Sequence, residues 1–304
     1  MSDRFLAKLA TGCLVGDGGM GTFLQAAGLP TGSCGELWNV DESDRVVEIQ
    51  RRYVEAGSDL VITNTFGGSP HKLAAYGLAE RAEEINAAAA DMARRAVEGA
   101  ESVVLGDIGP SGAILEPYGE VEYEPLKAEF ARQAKGLADG GVDAFIIETM
   151  MDFSEVRCAF EAIRTHSDLP IVVSLFFDTD KRNPGQFRTM YGDTPATVAE
   201  KANALGADVI GSNCGMPIDD FVELAARFRE AEPNKPLIMQ PNAGLGRPGE
   251  DGAVIYDDPP QRMASRATEL YDAGVTIVGG CCGTGPDYIR EVRKIADARL
   301  GGLS

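Results

Sequence analysis

The chain has 304 residues, 44% of them hydrophobic and 25% charged, which are ordinary values for a globular protein. Its formal net charge of −19 argues against nucleic acid as a partner, because binding to phosphates requires a basic surface. No apolar run approaches the roughly 18 residues of a membrane span, and the first residues lack the apolar core of a signal peptide. We therefore expect a cytoplasmic protein without a membrane partner.

Short apolar runs alternate with amphipathic segments along the whole chain. The runs are continuously apolar, as expected for parallel strands that are covered on both faces. The predicted strands are Cys13–Val15, Asp59–Thr63, Val103–Leu105, Ala144–Ile147, Ile171–Leu175, Val209–Gly211, Leu237–Met239 and Thr276–Val278. The predicted helices are Ser43–Ala56, Leu78–Glu98, Pro125–Asp139, Phe153–Thr165, Pro195–Ala204, Asp219–Glu230, Pro260–Ala273 and Asp287–Ala298.

This order of eight strand-then-helix units predicts a (β/α)8 TIM-type barrel. No Pro/Ser-rich linker divides the chain, so we expect one barrel domain over residues 1–304. A doubly wound open sheet is the alternative fold. In a barrel the chemistry lies at the C-terminal ends of the strands, so the residues that follow each apolar run are the candidate site residues.

Three of the six cysteines follow predicted strands, Cys214 after the sixth and the adjacent Cys281 and Cys282 after the eighth. These strands are next-but-one neighbours in a closed barrel, so their ends can bring three thiolates to one ion. Sulfur ligands favour Zn²⁺, and three protein ligands leave one position for a substrate. The spacing therefore predicts a catalytic zinc site. A buried pair of small residues and a redox couple are the alternative interpretations of the Cys281–Cys282 doublet.

The charge of such a site indicates its chemistry. A zinc ion with three thiolates bears a net negative charge, and it is a poor Lewis acid for making hydroxide. It suits a substrate thiol better, because binding removes the thiol proton and leaves an electron-rich sulfur. The site is therefore expected to favour alkylation of a thiolate over hydrolysis.

Two carboxylates and one amide at strand ends are further candidates. Asp17 stands in a glycine-rich loop whose backbone N–H groups can hold a carboxylate, although such loops are often purely structural. Glu148 ends an apolar run, where an unpaired carboxylate is costly to bury. It faces either a cation, such as a substrate ammonium, or an arginine in a structural salt bridge. Asn242 either fills the fourth zinc position or caps a turn.

Several motifs together resemble the homocysteine S-methyltransferase family. The family includes the homocysteine-binding module of cobalamin-dependent methionine synthase, betaine–homocysteine methyltransferases and S-methylmethionine-dependent enzymes. The matching motifs are GDGGMGT (16–22), TNTF (63–66), IET (147–149), SNC (212–214), QPNAGL (240–245) and GGCCGT (279–284). The resemblance implies a (β/α)8 barrel in which Cys214, Cys281 and Cys282 hold zinc and activate the homocysteine thiol. It also implies that Asn242 completes the zinc shell when substrate is absent.

The same resemblance implies how the rest of homocysteine is bound. Asp17 and Glu148 would contact its amino group, the backbone near Gly19 and Met20 its carboxylate, and Thr65 of the TNTF motif is a further candidate contact. The expected product is methionine.

The methyl donor is the open part of this interpretation. Betaine enzymes carry aromatic residues where this chain has Gly67 and Thr149, and such rings attract a quaternary ammonium. Trp38, the only tryptophan, is a candidate wall of a donor site or else a packing anchor. Other stretches look closest to the methionine-synthase module, which implies a stand-alone module methylated by a methylcorrinoid (methylcobalamin) on another polypeptide.

Other donors and other classes of function stay open. A sulfonium such as S-methylmethionine and a betaine are the alternative donors. A zinc- or homocysteine-binding subunit without catalysis and a redox protein with a vicinal disulfide are the alternative functions.

Overall fold

The computed structural model describes residues 3–180, 183, 185–249 and 254–301, and within them a parallel sheet of eight strands is wound into a nearly closed barrel. The (β/α)8 prediction is therefore confirmed. The barrel strands, numbered in chain order, are β1 (Leu14–Val15), β2 (Leu60–Ile62), β3 (Val103–Ile108), β4 (Ala144–Met150), β5 (Ile171–Leu175), β6 (Val209–Pro217), β7 (Leu237–Asn242) and β8 (Ile277–Val278).

Helices surround this sheet. They are α1 (Asp3–Leu9), α2 (Met20–Ala26), α3 (Trp38–Asp41), α4 (Ser43–Glu55), α5 (Pro70–Ala74), α6 (Ala82–Ala96), α7 (Tyr123–Asp139), α8 (Phe153–Arg164), α9 (Pro195–Leu205), α10 (Ile218–Ala231), α11 (Pro260–Asp272) and α12 (Pro286–Gly301). All eight predicted helices have counterparts among these. Short α1, α2, α3 and α5, and two small antiparallel hairpins (Asp178–Thr179 with Phe187–Arg188, Arg247–Pro248 with Val254–Ile255), were not predicted.

The barrel closes between β1 and β2 mainly through bonds made by Asp59. The backbone N–H of Asp59 donates to the carbonyl of Val15 at 2.7 Å, and the backbone N–H of Val15 donates to Asp59 Oδ2 at 2.9 Å. Asp59 is also paired with Lys8 at 3.0 Å and with Arg293 at 2.8 Å. This carboxylate therefore joins the two edge strands to α1 and α12.

Alternation along the strands divides the core into two clusters. Alternate residues such as Val104 and Ile147 point outward and pack with the helices. The residues between them fill the barrel interior, where Phe5 of α1 joins them at the N-terminal end. The interior strand residues are Leu14, Leu60, Val103, Leu105, Ala144, Ile146, Val172, Val209, Ile238 and Ile277. Because side chains alternate with a period of two, the next inward position on each strand lies at the C-terminal mouth.

Four strands extend further than predicted at this mouth, namely β3, β4, β6 and β7. Their extra residues stay paired, as Asp107 with Ile146 and Pro217 with Asn242 show. Glu148 and Cys214 therefore belong to strands and do not follow them, which corrects the predicted strand ends. In the described residues no helix combines the length and the apolar character needed to cross a bilayer.

Candidate active site

A cavity of about 430 Å³ opens at the C-terminal mouth of the barrel. Its volume lies in the range of ordinary small-molecule sites. Its wall is formed by the segments that follow β1, β2 and β8 and by the C-terminal ends of β3, β4, β6 and β7. The predicted site residues among its lining are Asp17, Gly19, Met20, Thr65, Glu148, Cys214, Cys281 and Cys282. The fold thus gathers most of the residues singled out in the sequence into one cavity.

The three cysteine sulfurs form one cluster. Cys214 Sγ and Cys281 Sγ each lie 3.9 Å from Cys282 Sγ, and all three sulfurs lie within 4.8 Å of one another. Tetrahedral Zn–S bonds of about 2.3 Å place their sulfurs about 3.8 Å apart. The cluster therefore has the dimensions of a three-thiolate zinc site.

Hydrogen bonds among the three cysteines also shift the pKa values of their thiols in a way that suits metal binding. Hydrogen bonds from Cys214 and Cys281 lower the pKa of Cys282 to about 3. Hydrogen bonds with Cys214 and Cys282, together with burial, raise the pKa of Cys281 well above its ordinary value. Cys282 is thus a thiolate at neutral pH, which is the form of cysteine that ligates metals.

An unusual backbone conformation presents Cys214. Its φ is +65°, and the pairing of β6 with β7 is irregular between Asn213 and Pro217. Gly215 follows with φ +76°, and a Cβ at Gly215 would come within 2.3 Å of the Phe176 ring. Positive φ is disfavoured for residues other than glycine. The bulge at this point turns the Cys214 thiol toward β8.

The cysteine doublet after β8 is fixed by the C-terminal end of β7. The backbone N–H of Cys282 donates to Asn242 Oδ1 at 3.1 Å, and the backbone N–H of Cys281 donates to the Pro241 carbonyl at 2.9 Å. Thr284 Oγ1 donates to the Cys281 carbonyl at 2.6 Å. In this structure Asn242 therefore holds the Cys282 backbone beside the sulfur cluster.

Glycines in the two motifs allow the first and last loops to touch. A Cβ at Gly16 would lie 3.0 Å from the Gly279 Cα, and a Cβ at Gly19 would lie 2.7 Å from the Cys281 carbonyl oxygen. Any larger residue would push the loop after β1 away from the cysteines. Close approach of two backbones therefore explains both glycine-rich motifs.

Buried acids line the cavity opposite the sulfurs. Asp17 Oδ2 accepts the backbone N–H of Ile62 at 2.7 Å, whereas its Oδ1 has no hydrogen-bond partner among the described residues. Burial raises the pKa of Asp17 well above its ordinary value, although the Ile62 N–H opposes the rise. Burial also raises the pKa of Glu148 to about 7, with the negative sulfur of Cys282 adding to the rise and a hydrogen bond from Asp107 opposing it. The predicted arginine partner of Glu148 is absent from the described cavity lining.

Two other predicted site residues, Thr65 and Trp38, make contacts within the protein. The hydroxyl of Thr65 donates to the Asp107 carbonyl at 2.7 Å, so it already has a partner within the protein. Trp38 does not line the cavity; its ring packs against the core and carries the Arg45 guanidinium at 5.3 Å. These contacts favour the packing anchor among the two roles predicted for Trp38, and the donor-wall role stays a prediction.

The sequence interpretation placed Asp107 and Asn213 at strand ends but gave them no role, and it did not name Tyr256. Asn213 Oδ1 accepts from the Thr149 backbone N–H at 2.9 Å and from the Ser174 hydroxyl at 2.7 Å, and its Nδ2 donates to Thr149 Oγ1 at 2.6 Å. The Tyr256 hydroxyl helps to lower the pKa of Cys282. Period-two alternation could have identified Asp107 and Asn213, since both are in step with inward residues of their strands; nothing local identifies Tyr256.

Comparison with known proteins agrees with this architecture. Residues 14–296 match the family model described as homocysteine S-methyltransferase. Methionine synthases of Mycobacterium leprae and Mycobacterium tuberculosis are each 33% identical over 94% of this chain. The matched parts are 24% and 25% of those proteins, so the chain spans about a quarter of the length of these curated relatives.

A solved structure has the same fold. The metallated form of the homocysteine methyltransferase MmuM from Escherichia coli superposes with a TM-score of 0.75 at 22% identity, covering 93% of this chain and 96% of that one. At this identity the likeness concerns the fold.

Proposed function

Because the chain belongs to the homocysteine S-methyltransferase family, we propose that it transfers a methyl group to the thiol of homocysteine and forms methionine at a zinc site of Cys214, Cys281 and Cys282. The observation that carries the proposal is the cluster of three sulfurs, spaced for one zinc ion, in the same cavity as a set of buried acids. Zinc bound there would lower the pKa of the substrate thiol and keep the sulfur nucleophilic at neutral pH.

The protein side chains orient the substrate. Asp17 and Glu148 are carboxyl groups without a basic partner, and they suit the ammonium of homocysteine. The backbone at Gly19 and Met20 lies in the same wall and suits its carboxylate, with Thr65 closing the wall beside Asp107. Asn242 holds the Cys282 backbone and is the proposed fourth zinc ligand when substrate is absent. Fixing both ends of the substrate places its sulfur at the metal, with the open mouth left for the donor.

The surface around the mouth supports a donor carried by another protein. Of the ten exposed large hydrophobic side chains in the described residues, only Leu6 lies at the N-terminal end of the barrel. The other nine lie on loops that follow the C-terminal ends of strands: Phe66, Tyr76, Ile114, Tyr118, Met190, Tyr191, Leu245, Val254 and Ile255. We call these nine residues the apolar rim. Exposed apolar surface concentrated at one end of a protein is characteristic of an interaction site, and we propose that a methylcorrinoid protein docks there as the donor.

A panel of donors tests the activity and the donor together. Zinc-loaded protein is incubated with homocysteine and a methylcorrinoid protein, S-methylmethionine or betaine, and methionine is measured. We expect methionine from the methylcorrinoid protein, its loss in Cys281→Ala and its retention in Cys13→Ala, since Cys13 lies outside the cavity lining. Methionine from a sulfonium or betaine alone would contradict the proposed donor. No methionine from any donor by a protein that holds zinc and homocysteine would instead support a non-catalytic binding subunit.

A matched pair of surface variants tests the apolar rim. Met190→Glu places a charge on the rim, and Leu6→Glu places the same charge at the opposite end of the barrel. Transfer from the methylcorrinoid protein should fall about 10-fold or more in Met190→Glu only, while transfer from free methylcobalamin stays equal in both. Equal transfer rates from the corrinoid protein in the two variants would exclude the rim as its docking surface.

A further inference from the structure

Asp107 is a further acid in the cavity, and the function proposed above does not use it. It lies on β3 in step with the interior residues Val103 and Leu105, and its side chain is only 2% exposed. It lines the same cavity as Asp17 and Glu148, and its carboxyl group is hydrogen-bonded to that of Glu148. Asp107 is therefore part of the cavity wall rather than of the apolar core.

The backbone of Asp107 is held on both sides. Its N–H donates to Thr63 Oγ1 at 2.9 Å. Its carbonyl accepts from Thr65 Oγ1 at 2.7 Å and from Gln133 Nε2 at 3.2 Å. These bonds fix the position of the carboxyl group at the mouth, where one of its oxygens, Oδ1, has no hydrogen-bond partner among the described residues.

The carboxyl group itself lacks a compensating donor. Oδ1 of Asp107, like Oδ1 of Asp17, is buried without a hydrogen-bond partner among the described residues. The charged groups that act on Asp107 are all acidic, namely Glu148, Glu36 and Asp17. Lys72, the basic residue in the described lining, acts on Glu155 instead. A buried carboxyl group in this state costs stability, so these oxygens indicate a ligand that brings N–H donors.

We propose that Asp107 is a third substrate-binding acid, whose Oδ1 accepts one N–H of the substrate ammonium beside Asp17 Oδ1 and Glu148. An ammonium has three N–H donors, and Asp17, Asp107 and Glu148 are three of the four acids in the cavity lining, the fourth being Glu36, which accepts the backbone N–H of Gly67 at 2.7 Å. The pocket therefore selects thiols that carry a free ammonium and discriminates against thiols that lack it. This inference rests on the proposed function, because it assigns part of the same substrate.

The test compares two ligands that differ only in the ammonium. Homocysteine and 4-mercaptobutanoate share the thiol, the carbon chain and the carboxylate. Binding of each to zinc-loaded protein is measured by calorimetry for wild type, Asp107→Ala, Asp107→Asn and Asp143→Ala. Asp143 is the matched control, because it is an equally buried acid at the other end of the barrel, where it pairs with Arg94 at 2.8 Å.

Asp107→Ala should weaken homocysteine binding about 10- to 100-fold, the range for losing a hydrogen bond to a charged group. Its affinity for 4-mercaptobutanoate should change less than about 3-fold. Asp107→Asn should recover most of the loss, since its amide keeps an acceptor for the ammonium and a donor for Glu148. Asp143→Ala should leave both affinities unchanged.

The possible contrary results distinguish the role of Asp107 from the proposed function. Equal losses of both ligands in Asp107→Ala, or unchanged homocysteine affinity, would overturn the role of Asp107 and leave the proposed function standing. Failure of the wild-type protein to bind homocysteine would overturn the proposed function, and the role of Asp107 with it.

Discussion

At the scale of single residues, the site is built from groups that favour ligand binding over stability. Asp107 and Asp17 are buried carboxyl groups whose pKa values are raised chiefly by desolvation. Asp143 is buried to a similar extent, yet it accepts the Val104 backbone N–H at 2.8 Å and pairs with Arg94. The two kinds of buried acid should therefore respond oppositely to removal of their charge.

Asp107→Asn should raise the free energy of unfolding of the substrate-free protein at neutral pH, by about 1–2 kcal/mol. The unfolded chain ionises this aspartate near pH 4, whereas the folded protein holds the proton to a higher pH. Between these two values folding takes up a proton, so the stability of the wild type falls as pH rises. The advantage of Asp107→Asn should thus grow as pH rises above about 4 and vanish below it. Denaturant unfolding over a pH series measures this.

The contrasting variant is Asp143→Asn, which should lower the free energy of unfolding because it breaks an ion pair. A loss of stability in Asp107→Asn at neutral pH, comparable to that in Asp143→Asn, would show that Asp107 has a stabilising partner in the folded protein.

At the scale of secondary-structure elements, two strands end in strained backbone. Thr149 on β4 has φ +58° and Cys214 on β6 has φ +65°, and Asn213 bonds to Thr149 directly. Thr149 follows the acid Glu148, and Cys214 follows Asn213 in the chain. The buried Asn213 amide therefore holds β4 and β6 together, next to the carboxyl group of Glu148 on β4 and the sulfur of Cys214 on β6. Such strain is maintained where the surrounding contacts over-determine it, and it is common at functional sites.

Comparison of Cys214→Gly with Cys214→Ala should reveal this strain. Both variants remove the sulfur, so both should lose most of the bound zinc. Glycine accepts positive φ freely, and the left-handed conformation costs other residues about 1–2 kcal/mol. In metal-free protein, Cys214→Gly should therefore unfold at a higher denaturant concentration than Cys214→Ala, by about 1 kcal/mol in free energy. Equal stability, or a more stable alanine variant, would mean that Cys214 is not strained.

The sequence predicts these elements but not their ends. The apolar runs locate β3 and β4 because the residues of these strands are continuously buried. The runs stop at the polar residues Asp107 and Glu148, but the strands continue past them, so the sequence pattern ends both strands too early. Backbone strain at Cys214 has no local signature, since it depends on the pairing of β6 with β7. Tyr256 reaches Cys282 from a distant loop, a contact that only the folded chain creates.

At the scale of the whole molecule, the two ends of the barrel carry different sets of residues. The C-terminal mouth carries the sulfurs, the acids and the apolar rim. The N-terminal end is closed by α1, whose Phe5 is fully buried among the interior residues. The sequence predicts the eight strand-and-helix units because each unit buries its own apolar run. The sequence does not predict helix α1, because a segment of seven residues with a few apolar positions resembles many exposed segments.

Phe5→Ala should therefore lower stability without altering the site. Removing a buried phenylalanine typically costs about 3–5 kcal/mol, and Phe5 lies at the end of the barrel opposite to the cysteines. We expect a lower midpoint in denaturant unfolding, with the zinc content and homocysteine affinity of the folded protein unchanged. Weakened homocysteine binding by the folded variant would show that the two ends are coupled.

The central claim is that the three cysteines hold a zinc ion that takes the sulfur of homocysteine as its next ligand. Zinc K-edge X-ray absorption on zinc-loaded protein, with and without L-selenohomocysteine, tests it most directly. The account predicts three sulfur neighbours at about 2.3 Å, and one selenium neighbour in addition when the selenol is present. Fewer than three sulfurs, or no selenium beside the metal at saturating ligand, would contradict it.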